Sequence, residues 1–333
     1  MPGETYIKGN KNSFEAKYEG LKNEVGFFMN ANLPAFDVKG QKTLGEAMRY
    51  SVSAGGKRIR GVLAMAVYEL LDEGLRREPG SAPNPCRQPA GQSGFEPREA
   101  VLTLAGAIEF IHAYSLIHDD MPCMDDDDFR RGKPSCHKVY GEGMAMLAGD
   151  SLLNLAFEIL LQYPAPAAAR AKTACPRFAE AALYIARASG ARGMAGGQAM
   201  DLCVAAGDGD NEDKNFAGEG YLDSLHRLKT GKLFDAAIIS PAICLDAGEE
   251  DYKALCVYGA AVGIAFQIKD DLLDIADLKT MDEKRNYAAV FGVPRAEQKL
   301  QNACSDAINS LGRFSSQADF LRDVASFIAR RAG

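Results

Sequence analysis

The sequence predicts an all-α protein built as one large helical bundle, and three observations carry that reading. From residue 44 to the end, apolar side chains recur mostly at three- and four-residue steps within Ala- and Leu-rich runs, which is the period of a helix face. Alternating β-branched runs, the mark of strands, are scarce. The 333 residues are 47% apolar and 25% charged, which is enough to bury a core.

Taken in order, helices are expected at about 13–31, 42–53, 58–77, 97–120, 140–162, 175–190, 219–230, 232–246, 250–275 and 294–331, the last broken near Gly312. Between the third and fourth, EPGSAPNPCRQPAGQSGFEP (78–97) holds five of the 14 prolines and three glycines; it cannot continue a helix and reads as a surface loop. A second polar loop, AAGDGDNEDKNFAGEG, covers 205–220. Neither separates halves of different character, so the chain reads as one domain over 1–333.

Charge and targeting signals exclude some roles. With 38 basic and 45 acidic residues the net charge is −7, so there is no basic field to draw the chain onto nucleic acid or an anionic membrane. No stretch approaches 18 uninterrupted apolar residues, and the first 20 residues lack a basic segment followed by an apolar one; a cytoplasmic protein without a membrane span is expected. The eight cysteines include no CxxC pair, which predicts reduced thiols rather than a disulfide framework or a zinc site.

Two acidic clusters stand out. Residues 118–131, HDDMPCMDDDDFRR, place six aspartates within ten positions after an apolar helical run. Two carboxylates about 4 Å apart repel by about 4 kcal/mol at an effective dielectric near 20, so a convergent cluster calls for cations. Asp119 and Asp125 are six apart and do not share a helical face; Pro122 between them is expected to let the chain bulge and bring Asp125 back. The second cluster, QIKDDLLD, puts Asp270 and Asp274 four apart on one face, with Gln267 a turn before, at the end of an apolar helix where unpaired acids are costly to bury. Hard oxygen donors from two helices suit Mg²⁺, which keeps some of its water and binds phosphate.

A basic set matches the acids. GGKRIR (55–60) puts Lys57 and Arg60 one turn apart at a helix start, where backbone amides also favour an anion. Arg130 and Arg131 follow the first cluster at once, and guanidinium forks take phosphate oxygens in pairs. His112 lies seven residues before Asp119, 20° short of two full turns, and so shares its face. His118, His137 and His226 read as structural.

These segments, with GEGMAMLAGD, GMAGGQAMDL and HRLKTGKLF between them, resemble the trans-isoprenyl diphosphate synthases, the family of farnesyl and geranylgeranyl diphosphate synthases, over about 42–331. The resemblance implies an isoprenoid synthase-like all-α bundle with a central cavity, a homodimer, and about three Mg²⁺ ions, for which Mn²⁺ can substitute. Asp119, Asp125 and Asp270 would be the principal metal ligands, with Asp120, Asp271 and Asp274 ligands or their supports. Arg130 would meet the allylic diphosphate, and Lys229, Thr230 and Gln267 would line that site. Isopentenyl diphosphate would be held by Lys57, Arg60, His112 and Arg131. Tyr114 and Ser115 would form the floor that limits product length, and a ring at 114 implies a fifteen-carbon product, as in bacterial-type farnesyl synthases.

The sequence also departs from the family pattern. Gly61 stands where a proline usually follows GGKRIR, and is expected only to loosen a helix start. The segment after the second cluster is short, and its usual lysine-bearing loop is reduced to KRNYAAVFG, leaving Lys284 as the match. The alternatives are a geranylgeranyl diphosphate synthase, a non-catalytic subunit of a heteromeric prenyl synthase, and a terpene cyclase, which would have no use for a second diphosphate site.

Overall fold

The computed structural model describes residues 11–77, 96–163, 176–205, 219–276 and 286–331. Apart from one hairpin of two-residue strands, β1 (Phe129–Arg130) and β2 (Lys133–Pro134), the described elements are helical. The chain divides into two compact units, Met1–Ala66 with Ala82–Phe178 and Val67–Ser81 with Ala179–Gly333.

The first unit contains α1 (Lys11–Asn32), α2 (Lys39–Ser53), the start of α3 (Ile59–Arg77), α4 (Pro97–Asp119), α5 (Cys136–Tyr140) and α6 (Glu142–Gln162). Helix α4 is its centre and packs on α1, α2 and α6. It is apolar nearly all round, as a fully enclosed helix must be, and Leu104, Ile108, Phe110 and Ile111 retain 0% exposure. Pro97 begins it, where a missing N–H costs nothing. By length and composition α4 and α6 are the two described helices able to cross a membrane, but α4 has 72% of its apolar stretch buried inside the protein. Helix α6 has only 44% buried, and it leaves Met146, Leu147 and Leu161 exposed.

The second unit contains α7 (Pro176–Ser189), α8 (Met194–Ala205), α9 (Glu219–His226), a π-helical turn (Arg227–Gly231), α10 (Lys232–Cys244), α11 (Glu249–Ala276), α12 (Tyr287–Phe291), α13 (Val293–Ser310) and α14 (Asp319–Arg330). Helix α11 is its spine, packed against α10, α13 and α14. Its first turn carries Glu249, Glu250 and Asp251, which suit the positive end of the helix dipole. Tyr258, buried at mid-helix, donates its hydroxyl to the Leu321 carbonyl at 2.7 Å, so the polar tip of a core ring is satisfied.

Most expected helices form, and the long last segment breaks around Gly312 into α13 and α14. Five elements were not foreseen. Helices α5 and α12 are five residues each, too short to show a period. Helix α8 carries two adjacent glycines in MAGGQAMDLCVA, which lower helix propensity by about 1 kcal/mol each. The π turn, like the small hairpin, leaves no periodic trace. The Pro-rich loop lies outside the described residues except Glu96 and Pro97, as do 206–218 of the second polar loop. The six described cysteines are free thiols.

Candidate active site

In the first unit α4 ends at Asp119, and the chain folds back in a tight series of turns. The amide of Met121 donates to the His118 carbonyl, those of Met124 and Asp126 to Met121, and that of Asp125 to Asp119 at 2.9 Å. The bulge expected around Pro122 therefore exists, and it returns Asp125 to the end of the helix that carries Asp119. Both are partly exposed, as acids that meet a solvent-borne cation must be.

Asp120 differs from both. It is 3% exposed and accepts from Arg130 Nε at 2.8 Å and from Arg130 Nη2, which also reaches Asp127 Oδ2 at 2.9 Å. Burial pushes its carboxyl up, and Arg130 partly offsets that. The hairpin holds the arginines in place: Ser135 N donates to the Asp128 carbonyl at 2.9 Å and Tyr50 donates to the Pro134 carbonyl at 2.6 Å. Asp126, Asp128 and buried His137 also bring ligand atoms within 4.8 Å of one another, a grouping that the sequence reading missed because the hairpin between them was unforeseen.

Arg58, His112, Asp120, Arg130 and Arg131 line one small cleft of about 30 Å³. Desolvation and the charges of Arg60, Arg131, Arg58 and Arg130 hold the His112 pKa well below the usual imidazole range, so it is neutral at pH 7. That many cations around one neutral imidazole give the cleft a positive local field. Arg131 donates to the Gly55 carbonyl, and its guanidinium covers Gly56, whose φ of +119° and absent Cβ both require glycine. Lys57 sits in the same loop, where its carbonyl accepts from Tyr18 at 2.7 Å, and Arg60 is buried in the first turn of α3.

Gly61 does more than loosen a helix start. Its N–H, which proline lacks, donates to buried Glu109 Oε1 at 2.9 Å, and a Cβ there would meet Val25 Cγ1 at 2.8 Å. Glu109 also takes Arg58 at 3.4 Å, and so anchors the basic loop. The sequence reading passed over both Arg58 and Glu109. On α4, Tyr114 stands edge-on to His118 with ring centres 5.5 Å apart, while the Ser115 hydroxyl is turned back onto the His112 carbonyl at 3.0 Å.

In the second unit Lys229 and Thr230 both lie in the π turn, a feature that recurs at functional sites. Lys229 Nζ pairs with Asp201 Oδ2 of α8 at 2.5 Å, a carboxylate in GMAGGQAMDL that no spacing singles out in the sequence. A Cβ on Gly197 would strike the Lys229 backbone nitrogen, so the missing side chain at this position is what lets α8 seat under this turn. Thr230 Oγ1 donates to Gln267 Oε1 at 2.5 Å, and Gln267 Nε2 donates to Asp271 Oδ1 at 2.9 Å.

Asp271 is 2% exposed, and its Oδ2 accepts from the Tyr287 amide at 2.8 Å, with His226 Nε2 at 3.5 Å. Burial pushes the Asp271 carboxyl up, and burial lowers His226 to about 4. Asp270 keeps 36% of its side chain exposed and pairs with Arg331, whose guanidinium stacks on Phe266 at 3.8 Å. Asp274 is exposed one turn on. Lys284 lies outside the described residues.

The donor set fits a hard divalent cation. Within each unit the exposed carboxylates, Asp119 and Asp125 in the first and Asp270 and Asp274 in the second, offer oxygen as the only ligand atom, as Mg²⁺ prefers. Comparisons with known proteins agree with the motifs. Residues 41–287 match the polyprenyl synthetase family model. The chain is 34% identical over 299 residues to a farnesyl diphosphate synthase of Bacillus subtilis, covering 87% of this chain and 89% of that one. It is 37% identical over 300 residues to geranylgeranyl pyrophosphate synthase 3 of Arabidopsis thaliana, covering 87% and 74%. Among solved structures, an FPP/GFPP synthase from Zymomonas mobilis superposes with a TM-score of 0.76 at 33% identity, covering 95% of this chain and 99% of that one. With a family model matched over most of the chain and relatives this similar along most of their length, the chain belongs to the polyprenyl synthetase family and is a trans-isoprenyl diphosphate synthase.

Proposed function

We propose that the protein condenses isopentenyl diphosphate with dimethylallyl diphosphate and then geranyl diphosphate to make farnesyl diphosphate. The observation that carries the reading is the cleft that brings Arg58, His112 and Arg131 together, with the charge of Arg60 also acting on His112, cationic groups additional to Arg130 and the metal carboxylates. An elongating enzyme needs two diphosphate sites, and a cyclase needs one.

In this reading Asp119 and Asp125 would hold Mg²⁺ in the first unit, beside Asp120, and Asp270 and Asp274 would hold Mg²⁺ in the second, beside Asp271. Bound Mg²⁺ supplies charge neutralisation for the departing diphosphate. Arg130, fixed by Asp120 and Asp127, binds the allylic diphosphate in a set orientation. The allylic carbon–oxygen bond breaks, and its electron pair leaves with diphosphate. Lys229 adds positive charge for that anion, while the oxygens of Thr230 and Gln267 steady the allylic cation. Lys57, Arg60, His112 and Arg131 hold isopentenyl diphosphate, whose double bond attacks the cation to form the new carbon–carbon bond. The released diphosphate takes the proton that the adduct loses. No Ser–His or Cys–His pair is required.

Tyr114 and Ser115 are proposed as the floor that stops growth at fifteen carbons. A twenty-carbon product is the second reading, favoured by the likeness to a plant geranylgeranyl pyrophosphate synthase. Assembly as a homodimer belongs to the same proposal, supported by the exposed Met146 and Leu147 of α6, and so does operation of the chain as one domain. Free thiols at the six described cysteines support a reducing, cytoplasmic location. The test is the requirement for two substrates: label from isopentenyl diphosphate should enter longer alcohols only when an allylic diphosphate and Mg²⁺ are both present. Cyclised hydrocarbon formed from the allylic substrate alone would overturn the reading.

A further inference from the structure

We infer that Asp271 is a positioning residue and not a metal ligand: its carboxylate fixes the amide of Gln267 and, through it, the hydroxyl of Thr230. The inference rests on the functional reading above and assigns a role within that same site.

Both Asp271 oxygens are already engaged. Oδ1 takes Gln267 Nε2 at 2.9 Å, and Oδ2 takes the Tyr287 amide at 2.8 Å, with His226 Nε2 at 3.5 Å. The residue is 2% exposed, whereas Asp270 beside it keeps 36% of its side chain exposed. The anchor at Oδ2 is rigid. It is the first amide of α12, whose Tyr287 is 1% exposed and donates its hydroxyl to Glu219 Oε1 at 2.5 Å, and whose Asn286 caps Ala289 N at 2.6 Å. The short helix after the shortened loop thus supplies a fixed donor.

The chemistry follows from donor and acceptor inventories. With Oδ2 accepting from the Tyr287 amide and Oδ1 from Gln267 Nε2, Gln267 turns its NH₂ toward Asp271. That leaves Gln267 Oε1 as an acceptor, and Thr230 commits its hydroxyl hydrogen there at 2.5 Å. A hydroxyl whose hydrogen is committed offers only lone pairs to any other neighbour. For an allylic cation this is the stabilising orientation, fixed before the reaction begins. An asparagine at 271 presents either an oxygen or an NH₂, so Gln267 can turn over and Thr230 can present its hydrogen instead.

The experiment is Asp271→Asn beside Asp270→Asn, following kcat as a function of Mg²⁺ concentration with isopentenyl and geranyl diphosphates. Asp271→Asn should lower kcat by about 10–100-fold, the range found when the group orienting a functional side chain is lost, with the half-saturating Mg²⁺ concentration moved no more than about twofold. In a Thr230→Val background the same change should cost no more than about twofold further, because the hydroxyl it orients is gone. Asp270→Asn should instead raise the half-saturating Mg²⁺ concentration by about tenfold or more. A tenfold rise caused by Asp271→Asn, or full additivity with Thr230→Val, would overturn the inference and leave the prenyltransferase reading intact. A wild-type protein that forms no carbon–carbon bond would overturn the reading itself, and the inference with it. Asp271→Ser, which keeps one acceptor without the charge, carries the test if Asp271→Asn does not fold.

Discussion

The two acidic clusters solve one problem with opposite means. The first sits on a run of turns after α4, holds six aspartates within ten positions, and is disciplined by a neighbouring cation, with Arg130 gripping Asp120 and Asp127. The second sits on an unbroken helix, where spacing alone puts Asp270 and Asp274 on one face, and its inner acid is held by neutral donors, Gln267 and the Tyr287 amide. In each, one aspartate of the adjacent pair is buried and hydrogen-bonded while its neighbour reaches solvent. On the proposed reading a repeated Asp-Asp step carries two jobs: one residue meets the cation, and the other orients the side chain that meets the substrate.

The comparison is broken most severely by removing the outer acids. Asp119→Ala and Asp270→Ala should each lower kcat by at least about 100-fold, since each removes charge neutralisation worth several kcal/mol; steady-state turnover within tenfold of wild type for either would mean that its cluster holds no catalytic metal. Next in size is Gly197→Ala. Its Cβ lands on the Lys229 backbone nitrogen, so it should cost about 2–3 kcal/mol in urea unfolding and reduce turnover through the displaced π turn. An unchanged midpoint would show that α8 does not support that turn.

The inner environments differ in pH response. His226, buried beside Asp271, has its pKa lowered from 6.5 to about 4, so the unfolded chain binds the proton more readily between those values. Its contribution is present above pH 6.5 and is lost as pH falls toward 4. Between pH 7 and 5 this amounts to about 2 kcal/mol. His226→Phe should lose that much less stability over the interval than wild type, as read from denaturant titrations at the two pH values; equal losses would place the pH dependence elsewhere. The smallest energetic change is Tyr114→Ala, which should leave turnover within about threefold and shift the product from fifteen toward twenty carbons, as chromatography of the dephosphorylated alcohols would show. An unchanged product would remove Tyr114 from the floor.

The second cluster was the more legible in sequence because helical periodicity places its members without further information. The first needed Pro122 as a hint, and only the backbone bonds from Met121 to Asp126 show how Asp125 returns. Most of the helices were readable for the same reason the second cluster was. What escaped were features whose signal is not periodic. The glycines of α8 look like a loop until the Lys229 backbone is seen against them, and the π turn leaves ordinary helix formers on either side. Glu109 reads as one acid in an apolar helix, and only its bonds to Gly61 and Arg58 reveal it as the anchor of the basic loop. Long-range polar partners of this kind have no sequence spacing to read.

The central claim is elongation to fifteen carbons. The most direct measurement incubates the purified protein with Mg²⁺, labelled isopentenyl diphosphate and geranyl diphosphate, and identifies the alcohols after dephosphorylation. Farnesol as the dominant labelled product is the predicted result; geranylgeraniol as the dominant product, or the absence of any alcohol longer than geraniol with both substrates and Mg²⁺ present, would contradict it.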